Sequence, residues 1–447
     1  MMENTTYLIH NATIVNEGDR FVASVLIENG IITQISDHIQ ATDSTTVIDA
    51  EGSYLLPGVI DTHVHFRDPG LTHKADFATE SAAAVVGGVT SVVDMPNTKP
   101  QTTTRQLLDD KKQMAAQKSV VNYGFMLGAT NDNIDELLAI DKAEYAAIKL
   151  FLGSSTGNML VNNDAVLDRL FAEASKLIVA HCEDEDTIVA NTQRYKDMYG
   201  DNAPAAVHAM IRDVEACYRS SKKAVELARK FNTRFHLAHL STAKELELLT
   251  IGGVEGKNIT AEVSPNHLWF SDGDYATLGN KIRCNPSIKS VADRDALLQA
   301  LKECRIDTVA TDHAPHLIEE KERPYFQSVS GMPSIQHSLL TMLELSRQGK
   351  ISLEAVVEKM SHNPAKLFGI EGRGFIRKGY HADLVLVNPS ETTAVDKPSL
   401  MYKCGWSPME GYVFANKIVK TFVNGNLVYS DGVVNGTSKG MPLSFAS

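Results

Sequence analysis

The chain has 447 residues, of which 43% are apolar and 22% are charged, a composition typical of a globular protein with a full core. Its formal net charge of −12 argues against binding to nucleic acid or to an anionic membrane, because phosphate recognition needs clustered Lys and Arg. We therefore expect a small-molecule ligand, with no nucleic-acid or membrane partner.

The N-terminal segment and the cysteines bear on the cellular compartment. Residues 1–11 lack the basic and apolar segments of a secretory signal, and no apolar run approaches the length of a membrane span. The five cysteines include no C-x-x-C pair, which favours reduced thiols and argues against a thiolate zinc site. The expectation is a cytoplasmic protein.

Short alternating strands are predicted at the N-terminal end of the chain, over residues 6–50. They cover Tyr7–Val15, Phe21–Ile27 and Ile31–Ile35. An Asn29-Gly30 pair marks a tight turn between the second and third strands.

Apolar segments, most of them separated by helix-like stretches, recur eight times in the middle of the chain. These segments are Gly58–Phe66, Thr90–Met95, Ser119–Leu127, Ala146–Leu152, Lys176–His181, Thr233–Leu240, Asn258–Val263 and Ile306–Thr311. Strand followed by helix, repeated eight times, predicts an α/β fold of the (β/α)8 TIM-barrel type. Helices are expected over Asp76–Val86 and Asn162–Ser175, and Thr242-Ala-Lys-Glu245 has the pattern of a capping box.

The C-terminal end resembles the N-terminal end. Strands are predicted at Ala382–Val387 and Lys417–Tyr429, with an Asn424-Gly425 turn. We expect both chain ends to pair into a small β-sandwich beside the barrel. The predicted division is therefore 1–57 and 366–447 for the β-domain, and 58–365 for the barrel.

The first predicted barrel strand ends in two histidines and an arginine, His63, His65 and Arg67. Side chains two apart on a strand share a face, so both imidazoles can bind one metal ion with Arg67 beside them as a fixed cation. Two hydrogen-bonded or solvated histidines are the alternative interpretation.

Polar residues at later strand ends favour a shared site, because barrel enzymes place their active sites at the carboxyl ends of the strands. These residues are Asp94 and Asn97 after strand two, Lys149 in strand four, His181 after strand five, His239 after strand six and Asp312 after strand eight. His236 lies three residues before His239 and hence on the opposite face of the strand. His239 is nearer the strand end, so we take it as the ligand and His236 as a packing or supporting residue.

Lys149 lies within an apolar strand. Burying an ammonium group is unfavourable, so this lysine must be paired, deprotonated or chemically changed. Spacing alone favours a lysine whose stem packs in the strand while its head reaches water or a carboxylate. The alternative is a neutral Lys149 that captures carbon dioxide as a carbamate able to bridge two metal ions.

Asp312 ends the last predicted strand. A carboxylate there could bind a metal ion and act as a general base. A helix cap is the alternative, which Pro315 and the neighbouring His313 and His316 make less favourable.

Together these motifs resemble the amidohydrolase superfamily and, within it, the dihydroorotase family, over nearly the whole chain. The matching segments are Asp61-Thr-His-Val-His-Phe-Arg-Asp-Pro-Gly70, Asp94-Met-Pro-Asn-Thr98 and Asp312-His-Ala-Pro-His316. The resemblance implies a zinc-dependent, reversible cyclisation of N-carbamoyl-L-aspartate to L-dihydroorotate, a step of pyrimidine biosynthesis.

The resemblance also implies roles for individual residues. Two zinc ions per chain, bridged by a carboxylated lysine, would be held by His63, His65, Lys149, His181, His239 and Asp312. Asp312 would also be the catalytic acid and base. The substrate would contact Arg67, Asn97, Asn285 and His316. A homo-oligomer, either a dimer or a tetramer, is expected.

The sequence departs from the family pattern at two places. Many long-chain bacterial members carry an aspartate near strand four, where this chain has Lys149, and the segment Ser330–Ile335 differs from the usual Gly-rich substrate loop. These differences leave the bridging group and the subfamily open. The alternatives are an allantoinase or hydantoinase, whose substrates lack the carboxylate, or a silent scaffold relative, which the complete ligand set argues against.

Overall fold

The computed structural model describes residues 6–153 and 159–446. The first strands are β1 (Thr6–Asn16), β2 (Asp19–Glu28), β3 (Ile31–Ser36), β4 (Thr45–Asp49) and β5 (Tyr54–Pro57). β1 pairs antiparallel with β2 and parallel with both β4 and β5. The sequence pattern does not predict β4 and β5, because they are short and do not alternate between apolar and polar residues.

The middle of the chain contains parallel strands that follow one another in chain order. They are β6 (Val59–Val64), β7 (Val89–Asp94), β8 (Asn122–Phe125), β9 (Leu127–Gly128), β10 (Ile148–Leu152), β11 (Ile178–Cys182), β12 (Phe235–Leu237), β13 (Ile259–Val263) and β14 (Thr308–Val309). One sheet has the order β6-β7-β8 and another has β9 to β14 in sequence. Only Met126 separates β8 from β9, and a parallel bridge joins Val64 to His313. The first and last strands therefore approach each other, as closure of a barrel requires.

The described helices lie mainly between these strands. They are α1 (Phe77–Val86), α2 (Arg105–Lys118), α3 (Ile134–Ala139), α4 (Asp164–Glu173), α5 (Glu185–Tyr199), α6 (Val207–Ile211), α7 (Val214–Phe231), α8 (Pro265–Trp269), α9 (Tyr275–Leu278), α10 (Val291–Lys302), α11 (Ile318–Lys321), α12 (Ser338–Arg347), α13 (Leu353–Val357) and α14 (Asn363–Phe368). Predicted helices at 76–86 and 162–175 correspond to α1, capped by Asp76, and to α4. No helix among the described residues is long and apolar enough to cross a membrane.

The capping-box pattern at Thr242–Glu245 starts a 3-10 helix, Lys244–Leu248, rather than an α-helix. The Thr242 hydroxyl accepts the Glu245 backbone N–H, as a cap should. The Glu245 carboxylate, however, accepts hydrogen bonds from the Ser221 and Thr242 hydroxyls, so only half of the capping box forms.

The C-terminal strands are β15 (Leu384–Asn388), β16 (Thr393–Ala394), β17 (Val413–Phe414), β18 (Lys417–Val423), β19 (Asn426–Ser430) and β20 (Val433–Val434). Among the described residues, both chain ends join in one nine-stranded sheet, ordered β20-β19-β18-β15-β5-β1-β2-β3 with β4 on β1. The strands of both chain ends thus form one hydrogen-bonded sheet instead of the two predicted sheets of a sandwich, with a separate β16–β17 pair, and apolar side chains from both ends pack into one cluster. Register shifts interrupt the pairing of β1 with β2, of β15 with β18 and of β18 with β19.

The two Asn-Gly turns lie against each other in this sheet. Asn29, Gly30, Asn424 and Gly425 all have positive φ, as tight hairpin turns require. A Cβ on Gly425 would lie 2.4 Å from the Gly30 Cα, so this contact needs glycine. The contact holds the N-terminal and C-terminal strands together.

Candidate active site

All ten residues predicted for the site line a single cavity of about 430 Å³. They are His63, His65, Arg67, Asn97, Lys149, His181, His239, Asn285, Asp312 and His316. Lys74, Lys99 and residues 329–331 line it as well. The cavity lies at the carboxyl ends of the parallel strands, where barrel enzymes bind their substrates.

His63, His65 and Asp312 form one group of potential metal ligands, all within 4.8 Å of one another. Asp312 Oδ1 lies 3.1 Å from His65 Nε2 and 3.4 Å from His63 Nε2. Tetrahedral zinc with bonds near 2.0 Å separates its ligand atoms by roughly 3.3 Å. These two separations match those of donor atoms on one zinc ion, so the group could hold a metal ion.

His181 and His239 form a second group. His181 Nδ1 lies 2.9 Å from His239 Nε2, and the two rings meet edge to face. Burial lowers the pKa of both imidazoles, so both are in the neutral form that binds metal. The His239 ring also lies 5.2 Å from the His63 ring, which makes the two groups contiguous.

Lys149 lies in β10, and only 1% of its surface is exposed. Its Nζ is buried without a hydrogen-bond partner among the described residues. Burial lowers the pKa of the amine to about 8, although Glu262 and Asp312 oppose the shift. A buried amine without a partner is an unfavourable state that carboxylation or metal chemistry would relieve. The donor set therefore fits a bimetallic centre.

Glu262 is a supporting residue that the sequence analysis missed. Its Oε1 contacts His63 Nδ1 in a very short hydrogen bond and accepts the backbone N–H of His239, and its Oε2 lies 3.5 Å from His236 Nε2. It thus turns the Nε2 atom of His63 toward Asp312. His236 is a supporting residue, as predicted from its face of the strand. The signal for Glu262 was the same as for Lys149, an ionisable residue within an apolar strand.

Asn97 and Glu183 hold two further imidazoles. Asn97 Oδ1 lies 2.8 Å from His65 Nδ1, and Glu183 Oε2 lies 2.8 Å from His181 Nε2. Each contact fixes the ring whose other nitrogen faces the metal-ligand groups. Asn97, expected at the substrate, therefore also orients a potential metal ligand.

Asp94 points away from the cavity, which corrects its grouping with the strand-end site residues. Its Oδ1 accepts the Phe66 backbone N–H at 2.7 Å, and its Oδ2 lies 2.5 Å from the buried Lys111 Nζ. Asp94 thus fixes the backbone just after His65.

Three site residues have left-handed backbone conformations. The φ angles are 66° at Arg67, 32° at His239 and 49° at Asp312. Non-glycine residues adopt such angles only when surrounding contacts hold them, and they cluster at functional sites. Asp61 holds Thr311, the residue before Asp312, through the Thr311 backbone N–H and hydroxyl.

Arg67 and Lys74 give part of the cavity a cationic lining. Arg67 is 8% exposed, donates from Nε to the Pro315 carbonyl at 3.1 Å and has Nη2 3.0 Å from His316 Nε2. Lys74, another residue the sequence analysis missed, lies 2.9 Å from His316 Nδ1. Burial lowers the pKa of His316 to about 3, so that imidazole is neutral. Two buried cations around one neutral imidazole suit an anionic ligand group.

A second wall of the cavity consists of Asn285 and the loop at residues 329–331. Asn285 Oδ1 is buried and has no hydrogen-bond partner among the described residues. The buried ammonium of Lys321 donates to the carbonyls of Arg283, Val329 and Gly331 at 2.9, 2.9 and 2.8 Å. These three bonds use all three ammonium donors and fix both loops.

Comparisons with known proteins give a consistent picture. Residues 54–428 match the Amidohydrolase family. The chain is 32% identical over 422 residues to the dihydroorotase of Methanosphaera stadtmanae, covering 93% of this chain and 95% of that protein. It is 33% identical over 425 residues to the allantoinase of Streptomyces avermitilis, covering 94% of each chain.

A solved structure, the L-hydantoinase (dihydropyrimidinase) from Arthrobacter aurescens, is similar with a TM-score of 0.93 and 28% identity. The alignment covers 99% of this chain and 100% of that one. With the family match, this similarity implies a TIM barrel accompanied by a β-domain, and the parallel strand order agrees with it. The chain belongs to the amidohydrolase family and is a hydrolase that acts on cyclic amides.

Proposed function

We propose that the protein is a dihydroorotase, which reversibly closes N-carbamoyl-L-aspartate to L-dihydroorotate in pyrimidine biosynthesis. The observation that carries this proposal is the buried Arg67 in the same cavity as the metal-ligand groups. Dihydroorotate has a carboxylate on its ring, whereas allantoin and hydantoin have none. A buried guanidinium would be an unfavourable feature of a site for an uncharged ring.

The proposed cofactor is a pair of zinc ions. His63, His65 and Asp312 would hold one, His181 and His239 the other, and carboxylated Lys149 would join them. When bound, the zinc ions would supply Lewis acidity at the ring carbonyl and lower the pKa of water.

Carboxylation of Lys149 is supported by its burial and its lowered pKa. The neutral amine would add to carbon dioxide, forming an N–C bond and releasing one proton. The resulting carbamate has two oxygens, enough to reach both ligand groups.

Asp312 is proposed as the acid and base. Burial would raise the pKa of its carboxyl, but the imidazoles of His63 and His65 hold that pKa well below its usual value. The carboxylate is therefore ionised and can accept a proton from water. In the hydrolytic direction the oxygen of that water would bond to the ring carbonyl carbon, and Asp312 would pass the proton to the ring nitrogen as the amide C–N bond breaks.

Arg67 and His316 are proposed to hold the substrate carboxylate, which would fix the orientation of the ring toward Asp312. Asn97 uses its oxygen on His65, so any contact with the substrate would come from its amide NH₂ group. Asn285 offers a buried amide oxygen without a partner among the described residues and would accept an N–H of the substrate.

Ring opening of three substrates tests the proposal. The zinc-loaded protein would be incubated with L-dihydroorotate, allantoin and hydantoin, and each product identified by mass. We expect kcat/KM to be highest on dihydroorotate. A clear preference for allantoin or hydantoin would instead support the second candidate, an allantoinase or hydantoinase, which the similarity to those proteins favours. A homo-oligomer stays part of the proposal, and light scattering tests it.

A further inference from the structure

Lys74 is a buried charged residue of the cavity for which the proposed reaction has no role. Only 8% of its surface is exposed, and it lines the cavity beside Arg67. Its Nζ lies 2.7 Å from Glu320 Oε1 and 2.9 Å from His316 Nδ1. Burying this ammonium is unfavourable, and the pair with Glu320 compensates for part of that cost. The arrangement places a fixed donor on the side of His316 that faces away from Arg67.

The His316 imidazole cannot accept hydrogen bonds from both Lys74 and Arg67 at the same time. A neutral imidazole has one N–H donor and one acceptor, whereas ammonium and guanidinium groups only donate. Lys74 at Nδ1 and Arg67 at Nε2 therefore compete for a single acceptor nitrogen. A carboxylate bound to Arg67 would end this competition, because the guanidinium would then have a better acceptor.

We propose that Lys74 is a positioning residue for the substrate carboxylate, acting by keeping the His316 proton on Nε2. With Lys74 donating to Nδ1, the Nε2–H points toward Arg67 and donates to a carboxylate held there. The inference rests on the proposed function, since it takes the carboxylate of dihydroorotate as the anion.

Glu320 determines which nitrogen of His316 carries the proton when Lys74 is removed. Its Oε2 lies 3.5 Å from His316 Nδ1 and would attract a proton to that nitrogen. The lone pair of His316 Nε2 would then face the substrate carboxylate. The nitrogen that had donated a hydrogen bond to the carboxylate would instead repel it. Loss of Lys74 should therefore weaken substrate binding more than loss of one positive charge alone.

Lys99 offers a matched control for charge. Lys99 lines the same cavity and is exposed. Both Lys99 and His316 lie in the described part of the chain, and no hydrogen bond joins them there. Lys99→Met removes one cation from the cavity without touching the imidazole. An effect through charge alone would be similar in Lys74→Met and Lys99→Met.

The test is a double-mutant cycle on kcat and KM for L-dihydroorotate, with zinc content measured for each protein. We expect Lys74→Met to raise KM about tenfold or more, the scale of one hydrogen bond to a charged group. Lys99→Met should change KM by less than about threefold, the scale of an exposed charge. In the His316→Gln background Lys74→Met should add less than about twofold, because its effect passes through the imidazole.

Three results would overturn the inference: a wild-type KM in Lys74→Met, equal effects of Lys74→Met and Lys99→Met, or the full effect of Lys74→Met in the His316→Gln background. Lys74→Gln replaces Lys74→Met if the latter folds poorly, with the same expectations. A wild-type protein that does not open dihydroorotate contradicts the proposed function instead, so the two failures are distinguishable.

Discussion

Replacing Arg67 by methionine tests the residue that separates dihydroorotate from its uncharged relatives. Arg67 is 8% exposed. Methionine keeps much of the length of its side chain but removes the guanidinium, which donates to the Pro315 carbonyl. Leaving the substrate carboxylate unpaired in a desolvated cavity should cost about 2–5 kcal/mol. At 1.4 kcal/mol per factor of ten, kcat/KM on dihydroorotate should fall roughly 30- to 4000-fold.

The assay is the rate of ring opening, with the product quantified by chromatography. Zinc content should be unchanged, since Arg67 is not a proposed ligand, and any activity on hydantoin should change by less than about threefold. Arg67→Lys is the matched control, because it keeps the charge but loses the planar fork, and should retain intermediate activity. Normal opening of dihydroorotate by Arg67→Met, or an equal loss on hydantoin, would refute the reasoning.

Four other predictions concern the cavity and its support. Asp312→Asn should lower kcat by roughly 100-fold or more, the scale of general acid–base catalysis, and near-normal turnover with zinc retained would place the proton elsewhere. Glu262→Gln should weaken zinc binding about 10- to 100-fold by metal titration, because His63 loses its carboxylate partner, and unchanged affinity would contradict that role. Removing metal with a chelator should abolish ring opening and added zinc should restore it, whereas full activity of metal-free protein would exclude the bimetallic centre. Lys321→Met should lower the free energy of unfolding by about 2–4 kcal/mol in chemical denaturation, because three carbonyls lose a charged donor, and an unchanged midpoint would show that solvent replaces it.

The residues of the candidate metal site could be grouped from the sequence because strand geometry is local. His63 and His65 share a face by the two-residue period, and His239 rather than His236 lies at the strand end. Lys149 was identifiable because an ionisable residue in an apolar strand needs a reason to be there. For each of these residues, the two-residue period predicts the face of the strand on which the side chain lies. The order of the parallel strands then predicts which side chains come together.

The supporting contacts could not be predicted, because they join residues far apart in the chain. Glu262 lies 199 positions from His63, and Lys74 lies 242 positions from His316. No periodic pattern within a strand or helix predicts a contact between residues so far apart in the chain. The single sheet of the β-domain was missed for a related reason, since the pairing of β5 with β15 joins strands far apart in the chain, which alternation alone does not reveal.

The central claim is that one cavity holds both the two zinc ions and the carboxylate of dihydroorotate. Anomalous diffraction at the zinc edge, from crystals soaked with L-dihydroorotate, tests both parts in a single map. The account predicts two zinc peaks on either side of a carboxylated Lys149, and a ring carboxylate within hydrogen-bond distance of Arg67 and His316. A single peak, an unmodified Lys149 amine beside two metals, or a carboxylate turned away from Arg67 would contradict it.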